Sequence, residues 1–179
     1  MTRAGEVTAW RHAAAIALLP FTNTVAIPSA LVARWPHPWS TPPAVTAALL
    51  TVGAVVAFGG LWLVVHSIRL FVRLGHGTLA PWDPTQALVG DGAYRHIRNP
   101  MKAGLFLILA GEALMTRSTA LLVWFACFVL VNAVYIRLHE EPGLRGRFGA
   151  QYRDYCERVP RWWPKFTAQK TRAAEEATS

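Results

Sequence analysis

Charged residues are missing from three long stretches of this sequence. Of its 179 residues 16% are charged and 53% are hydrophobic, and no Lys, Arg, Asp or Glu lies between Arg11 and Arg34, between Arg34 and Arg69, or between Arg117 and Arg137. These gaps hold 22, 34 and 19 residues, and a helix needs roughly 20 apolar residues to cross a bilayer core. A soluble domain spreads its charges along the chain, and a secretory signal is one short stretch near the N-terminus. The pattern therefore predicts an integral membrane protein.

Cysteine is also scarce, with only Cys127 and Cys156 in the chain. Cys127 falls in the middle of the last apolar stretch and Cys156 in the basic tail, so the two are expected to be free thiols. Neither a disulfide framework nor a cysteine metal site is indicated. The six histidines show no metal-ligand spacing, and no bound metal is expected.

The apolar stretches predict an all-α fold, an integral membrane bundle of about four transmembrane helices. Pro20 and Pro28 interrupt the first span and should kink it, because proline removes a backbone donor. A tight turn at Thr116–Arg117 makes the last two spans a helical hairpin. Residues 1–165 are expected to form a single domain, followed by a flexible polar tail at 166–179. The predicted spans cover about residues 13–33, 44–66, 101–115 and 118–137.

Small residues recur at matching intervals in the second and third spans. Gly53 and Gly60 are seven residues apart, as are Gly104 and Gly111. Seven residues are nearly two helical turns, so each pair lies on one face of its helix, where two backbones can approach closely. The spacing predicts close packing of these faces.

Basic residues are distributed unequally between the two membrane sides. With four spans, sixteen of the eighteen Lys and Arg residues fall on the side of the termini, and only Arg34 and Arg117 fall on the other. This bias predicts that both termini are cytoplasmic. Membrane lipids are the expected partners of the basic tail, and no nucleic-acid partner is expected. Six tryptophans lie outside the spans, as is typical of an interfacial belt: Trp10, Trp35, Trp39, Trp82, Trp162 and Trp163.

The segment after the last span has the pattern of an amphipathic helix. Pro142 suits its first turn, and Leu144, Phe148, Tyr152 and Tyr155 recur at helical spacing. We expect a C-terminal amphipathic cytoplasmic helix that lies on the membrane surface or on the cytoplasmic ends of the spans.

Two polar clusters flank the predicted hairpin. The string from Gly92 to Pro100, which contains Arg95 and Arg98, precedes the third span, and the string from His139 to Glu141 follows the fourth. Because a hairpin returns to its starting side, the clusters should be neighbours and could form a polar ligand site. Two simpler explanations stay open: the arginines can be positive-inside anchors, and the glutamates can pair with them or be solvated.

Two further charged or titratable residues have simpler expected roles. Glu112 is expected at the far end of the hairpin, paired with Arg117. His66 is expected to cap the second span rather than to bind a metal.

The same strings resemble the motifs of one enzyme family. Gly-Ala-Tyr-Arg-His-Ile-Arg-Asn-Pro-Met, ending at Met101, resembles the GPYRYVRHPxY-type signature of the isoprenylcysteine carboxyl methyltransferases. The segment from Glu140 to Arg161 resembles their EExxL…FGxxYxxY…VPR block. The likeness covers roughly residues 75–164. The related phosphatidylethanolamine N-methyltransferases share the plan but match less well.

The resemblance implies S-adenosylmethionine as cofactor, bound between the hairpin and the cytoplasmic segments. It implies that the cofactor pocket is lined by Tyr94, Asn99, Pro100, Glu140 and Glu141. It also implies that Arg98 lies at the reacting end, where an arginine fork can hold an anionic acceptor. A carboxylate acceptor needs no general base, whereas for an amine acceptor Glu141 is the candidate base.

The function implied is S-adenosylmethionine-dependent methyl transfer to a lipophilic or lipid-linked acceptor, with a carboxylate as first choice. The alternatives are a phospholipid or other amine N-methyltransferase, a thiol S-methyltransferase and, in another class, a non-catalytic small membrane protein. Two positions depart from the family pattern. Asn99 replaces the usual histidine, and Lys102 replaces the usual aromatic residue.

Overall fold

The computed structural model describes residues 20–36, 38–74, 88 and 90–162. Within these residues the fold is all-helical, and the one β-bridge joins Pro38 to Ser118. The predicted polar tail and residues 13–19 of the first predicted span lie outside the described ranges. In chain order the elements are a π-helical turn at Thr22–Ala26, α1 at Ile27–Arg34, α2 at Pro43–Leu74, a 3₁₀ turn at Gly92–Arg95, α3 at Pro100–Thr116, α4 at Thr119–Tyr135, a second π-helical turn at Ile136–Glu140 and α5 at Glu141–Arg158.

Two helical segments among the described residues are long and apolar enough to cross a membrane. They are Pro43–Leu70, and the continuous run Thr119–Arg158 that includes α4. Only 17% and 11% of the most apolar 18-residue stretch of each segment is buried inside the protein. The core helix of a soluble protein would be mostly buried. Large side chains such as Phe58 and Leu130, 72% and 66% exposed, are suited to lipid contact. The protein is therefore a membrane protein, and the four-span bundle stays a prediction.

Helices α2 and α3 pack through the four glycines that the sequence singled out. A Cβ atom added to Gly53 would lie 2.7 Å from the carbonyl oxygen of Gly111, and one added to Gly104 would lie 2.7 Å from that of Gly60. Such distances are too short for any side chain, so the two backbones are in direct contact. The predicted close approach of the glycine faces is confirmed.

The predicted irregularity near Pro28 takes the form of a wide helical turn. Thr22–Ala26 forms a π-helical turn directly before α1, which has Pro28 in its first turn. Proline cannot donate to the carbonyl one turn earlier, which leaves room for a wider turn. Further back, the Thr24 hydroxyl donates to the carbonyl of Pro20, four residues earlier, at 2.7 Å.

Helices α3 and α4 meet at Arg117, which has left-handed backbone angles (φ 53°). Ser118 then caps α4, because its hydroxyl accepts from the Leu121 N–H at 3.4 Å. Arg117 donates to the hydroxyls of Thr41 and Thr46 at 3.1 and 3.3 Å. The turn between the helices is thereby tied to the start of α2.

The expected pairing of Glu112 with Arg117 is wrong. The left-handed turn directs the Arg117 guanidinium toward Thr41 and Thr46. Glu112 lies half-buried on α3, and among the described residues its buried Oε2 has no hydrogen-bond partner.

Helix α5 packs through one face. Tyr152, Tyr155 and Val159 form a buried cluster, and the half-buried Leu144 and Phe148 pack against it. The helix is interrupted at Gly149, where φ is 51° and ψ is −121°. Only glycine adopts these angles readily, so this residue sets the bend between the first half of α5, with Leu144 and Phe148, and the second half, with Tyr152 and Tyr155.

Candidate active site

The two polar clusters flanking the hairpin meet at one end of the helices. Helix α3 begins here and α4 ends here, so Arg98 before α3 comes close to Glu141 at the start of α5. Arg98 Nη1 donates to Glu141 Oε1 at 3.1 Å. We call this end of the bundle the site end.

Glu141 is the buried centre of this cluster, with 4% of its side chain exposed. Its Oε1 accepts from Arg161 Nε and its Oε2 from Arg161 Nη2, both at 2.7 Å. Arg145 Nη2 lies 3.9 Å from Oε2. Burying a carboxylate is costly unless it is paired and hydrogen-bonded, and these arginines meet that condition. The hydrogen bond to Glu141 raises the pKa of Arg161, so the guanidinium stays charged.

Arg98 is held on several sides by the C-terminal segment. Its Nε donates to the carbonyl of Val159 at 2.7 Å, and its Nη2 to that of Cys156 at 3.3 Å. Its backbone N–H donates to the carbonyl of Pro160 at 3.1 Å. The guanidinium therefore fastens the end of α5 to the start of α3, and its contact with an acceptor stays a prediction.

Glu140 forms a second ion pair beside the first, with Lys102 of α3. The Lys102 ammonium also lies 5.3 Å from the ring centroid of Tyr135, where a cation is attracted to the aromatic face. Glu140 keeps 33% of its side chain exposed. Lys102, which replaces the aromatic residue of the family pattern, thus neutralises a carboxylate that a ligand can still reach.

Tyr94 and Asn99 are two further polar groups at the site end, and both are half-buried. Burial raises the pKa of the Tyr94 phenol, and the negative charge of Glu140 raises it further. The phenol therefore keeps its proton and can donate. The Asn99 side chain makes no capping bond to α3, so the structure leaves it available to a ligand.

Three of the five residues predicted to line the cofactor pocket suit a polar nucleoside. Tyr94, Asn99 and Glu140 combine a phenol donor, an amide and a carboxylate, which match the hydroxyls and ring nitrogens of such a molecule. Pro100 and Glu141 are buried, and both oxygens of Glu141 are engaged. The first three residues could hold the predicted cofactor, whereas Pro100 and Glu141 offer it almost no accessible surface.

A large apolar cleft of about 1110 Å³ opens next to this cluster. It lies against α2, α3, α4 and the turn before α3. Trp62 and Leu107 on its wall are 66% and 40% exposed, so the cleft is open sideways, toward lipid. The lining residues are Trp62, Leu63, His66, Gly92, Ala93, Arg95, His96, Ile97, Ala103, Phe106, Leu107, Phe125, Val129, Ala133 and Trp162.

Three basic or titratable side chains line the cleft, His66, Arg95 and His96. His66 stacks on Trp62 with ring centroids 5.1 Å apart and planes at 7°, so the ring orientation is fixed. Arg95 also pairs with Asp91 at 2.8 Å on the surface. The polar part of the wall is therefore suited to a neutral or anionic group more than to a cation.

Sequence reasoning missed the cleft and the role of Arg161. Arg161 belongs to the Val-Pro-Arg string that carried the resemblance, but the string does not reveal its partner. The sequence pattern places Trp162 in the interfacial belt, and it does not distinguish Trp62 and Phe106 from other apolar residues of the spans. No group of three His, Cys, Asp or Glu within the described part of the chain could hold a metal ion.

One family comparison bears on this site. A family model described as phospholipid methyltransferase matches residues 48–151, which include most of α2, the turn before α3, the hairpin and the first half of α5. No curated protein shows significant similarity to the chain. The family match covers more than half of the sequence and confirms the resemblance to membrane methyltransferases. The chain therefore belongs to the phospholipid methyltransferase family and is a membrane methyltransferase.

Proposed function

We propose that the protein transfers a methyl group from S-adenosylmethionine to a lipophilic acceptor. The observation that carries this proposal is the position of the apolar cleft. It opens beside the accessible polar cluster of Tyr94, Asn99 and Glu140, and the turn between them contributes residues to both. An acceptor chain can enter from the bilayer while its head group meets a polar cofactor from the cytoplasm.

S-adenosylmethionine, when bound, supplies a methyl group on a positively charged sulfur. Glu140 is placed to accept hydrogen bonds from ribose hydroxyls, and charge-assisted bonds of this kind are strong. Tyr94 and Asn99 can orient the rest of the nucleoside. Since methyl transfer is an in-line displacement, holding both reactants in line supplies much of the rate.

Arg98 and Glu141 are proposed at the reacting end. Together with Arg161 they form a group of two partly exposed cations around one buried anion. The net positive charge of this group favours an anionic acceptor. A carboxylate acceptor is therefore our first choice, and Arg98 would attract it.

Amine and thiol acceptors are the second choice, and the family description, phospholipid methyltransferase, supports a phospholipid as the molecule that carries the acceptor group. An ammonium must lose a proton before it can attack, and Glu141 is the proposed base. Glu141 already accepts hydrogen bonds from two arginines, so it would have to give up part of this pairing. A non-catalytic membrane protein would need neither the cleft nor the polar cluster.

The test is transfer of a labelled methyl group by purified protein into a total lipid extract. Label should enter the organic phase, and mild base should release it as methanol, because esters hydrolyse whereas N-methyl and S-methyl groups do not. Base-stable label would overturn the carboxylate choice and favour an amine or thiol. Absence of label with folded protein would contradict the proposed transfer.

A further inference from the structure

The chain reverses direction after α5, and this reversal places an aromatic side chain in the cleft. Val159 to Trp162, which we call the strap, runs back toward α3. The Trp162 ring lines the cleft and lies 5.5 Å from the Phe106 ring, centroid to centroid, with planes at 38°. Trp162 is half-buried, so one side packs on α3 and the other faces the open space.

The strap is fastened residue by residue. Arg98 Nε donates to the carbonyl of Val159 at 2.7 Å, and the Arg98 backbone N–H donates to that of Pro160 at 3.1 Å. The next residue, Arg161, forms its two-pronged bond to Glu141. Trp162 follows directly, so its position depends on a guanidinium held at two points. A planar fork fixes direction as well as distance.

We propose that Trp162 is a specificity-determining residue of the acceptor cleft and that Arg161 is a positioning residue that acts through it. This inference rests on the proposed function. The ligand is an amphiphile whose apolar chain lies against Phe106 and Trp162, with its head group toward the turn before α3. The indole limits the width of the cleft at that end and selects the chains that fit.

A purely structural strap would not need the indole. The pairing of Arg161 with Glu141 and the Arg98 contacts already close the end of α5. Phe106 has a second aromatic neighbour in Phe128, at 5.8 Å, so Trp162 is not required to cover it. The ring instead lies where it adds wall to a space wide enough for a ligand.

The test compares Trp162→Ala and Trp162→Phe with the wild type, with Trp35→Ala as the matched control. Trp35 is 53% exposed and is not part of the cleft wall. A total lipid extract is methylated with labelled S-adenosylmethionine, and the chain lengths and branching of the products are read by mass spectrometry. Calorimetry with S-adenosylhomocysteine follows cofactor affinity separately.

We expect Trp162→Ala to shift the product distribution toward bulkier chains and to raise the KM for the wild-type acceptor roughly tenfold, the scale of pocket discrimination. Trp162→Phe should fall between, and S-adenosylhomocysteine affinity should not change. Arg161→Ala should shift the products in the same direction, and adding it to Trp162→Ala should produce no further shift. Arg153→Ala, an exposed arginine on α5, is its control.

Each contrary result has a separate meaning. If the wild type transfers no methyl group, the proposed function fails. If it does, and Trp162→Ala gives the products and KM of Trp35→Ala, the role of Trp162 is overturned while the function stands. Additive shifts from the two substitutions would overturn the positioning role of Arg161. If Arg161→Ala does not accumulate as folded protein, Arg161→Lys, which keeps the charge and loses the fork, takes its place.

Discussion

Arg161 and Glu141, separated by 20 residues in the chain, form a two-pronged ion pair with both nitrogen–oxygen distances at 2.7 Å. Arg98 reaches the same carboxylate from the start of α3 at 3.1 Å. One buried carboxylate thus joins three segments: the start of the hairpin, the beginning of α5 and the strap. The integrity of the site end should depend on it.

Glu141→Gln should destabilise the protein strongly. It leaves Arg98 and Arg161, which donate to the carboxylate, without their counter-charge, and breaking a buried pair costs about 3–5 kcal/mol. In a protein of this size that corresponds to a fall in Tm of roughly 6–20 °C, measured by thermal unfolding in detergent. Asp91→Asn is the control. It breaks the exposed Arg95 pair, whose side chains are 44% and 53% accessible, and should cost no more than about 1 kcal/mol. Equal shifts for the two variants would contradict the central role of Glu141.

Two adjacent glycines on α2 should respond to alanine in opposite ways. A Cβ on Gly60 would lie 2.5 Å from the Gly104 carbonyl oxygen, whereas one on Gly59 would meet nothing within 4 Å. Gly60→Ala should therefore cost about 1–3 kcal/mol through overpacking. Gly59→Ala should be neutral or stabilise by up to about 1 kcal/mol through helix propensity. Thermal unfolding of both variants checks this, and a loss at Gly59 as large as that at Gly60 would refute the packing.

The termini should face the cytoplasm, because sixteen of the eighteen basic residues fall on their side in the four-span arrangement. With Cys127 and Cys156 replaced by alanine, Ser179→Cys should react with an impermeant maleimide only after the cells are permeabilised. Ser40→Cys, in the exposed connection before α2, should react in intact cells. Labelling of Ser179→Cys without permeabilisation would reverse the topology.

Glu140 should matter to cofactor affinity more than to folding. It is accessible, and its charge-assisted hydrogen bonds are each worth about 1.5–3 kcal/mol, a tenfold to hundredfold change in affinity. Glu140→Ala should weaken S-adenosylhomocysteine binding by that factor in calorimetry. Glu157→Ala, an exposed carboxylate on α5, should leave the affinity unchanged. Similar affinities for the two variants would remove Glu140 from the cofactor site.

Local sequence patterns predicted the helices and one of their interfaces. Charge-free stretches marked the regions of α2 and α4, because the bilayer requirement is a matter of length and composition. The interval between Gly53 and Gly60, matched in α3, predicted the contact between the two helices because a helical period fixes which residues share a face. The strings around Arg98 and Glu141 carried the resemblance to membrane methyltransferases, which the family comparison confirmed.

Features that depend on chain reversal could not be predicted in this way. The partner of Arg117 is decided by a left-handed turn, and no spacing rule connects it to Thr41 and Thr46. Arg161 meets Glu141 only because the strap folds back after α5. In the cleft, Phe106 and Trp62 resemble any other apolar span residue, and helix crossing alone decides which of them face a ligand.

The most direct test of this account is calorimetric titration of the purified, folded protein with S-adenosylhomocysteine, because it needs no knowledge of the acceptor. We expect saturable binding of one S-adenosylhomocysteine per chain, in detergent or in nanodiscs, and a loss of affinity in Glu140→Ala. Absence of binding by wild-type protein that unfolds cooperatively would contradict the claim that this chain uses S-adenosylmethionine.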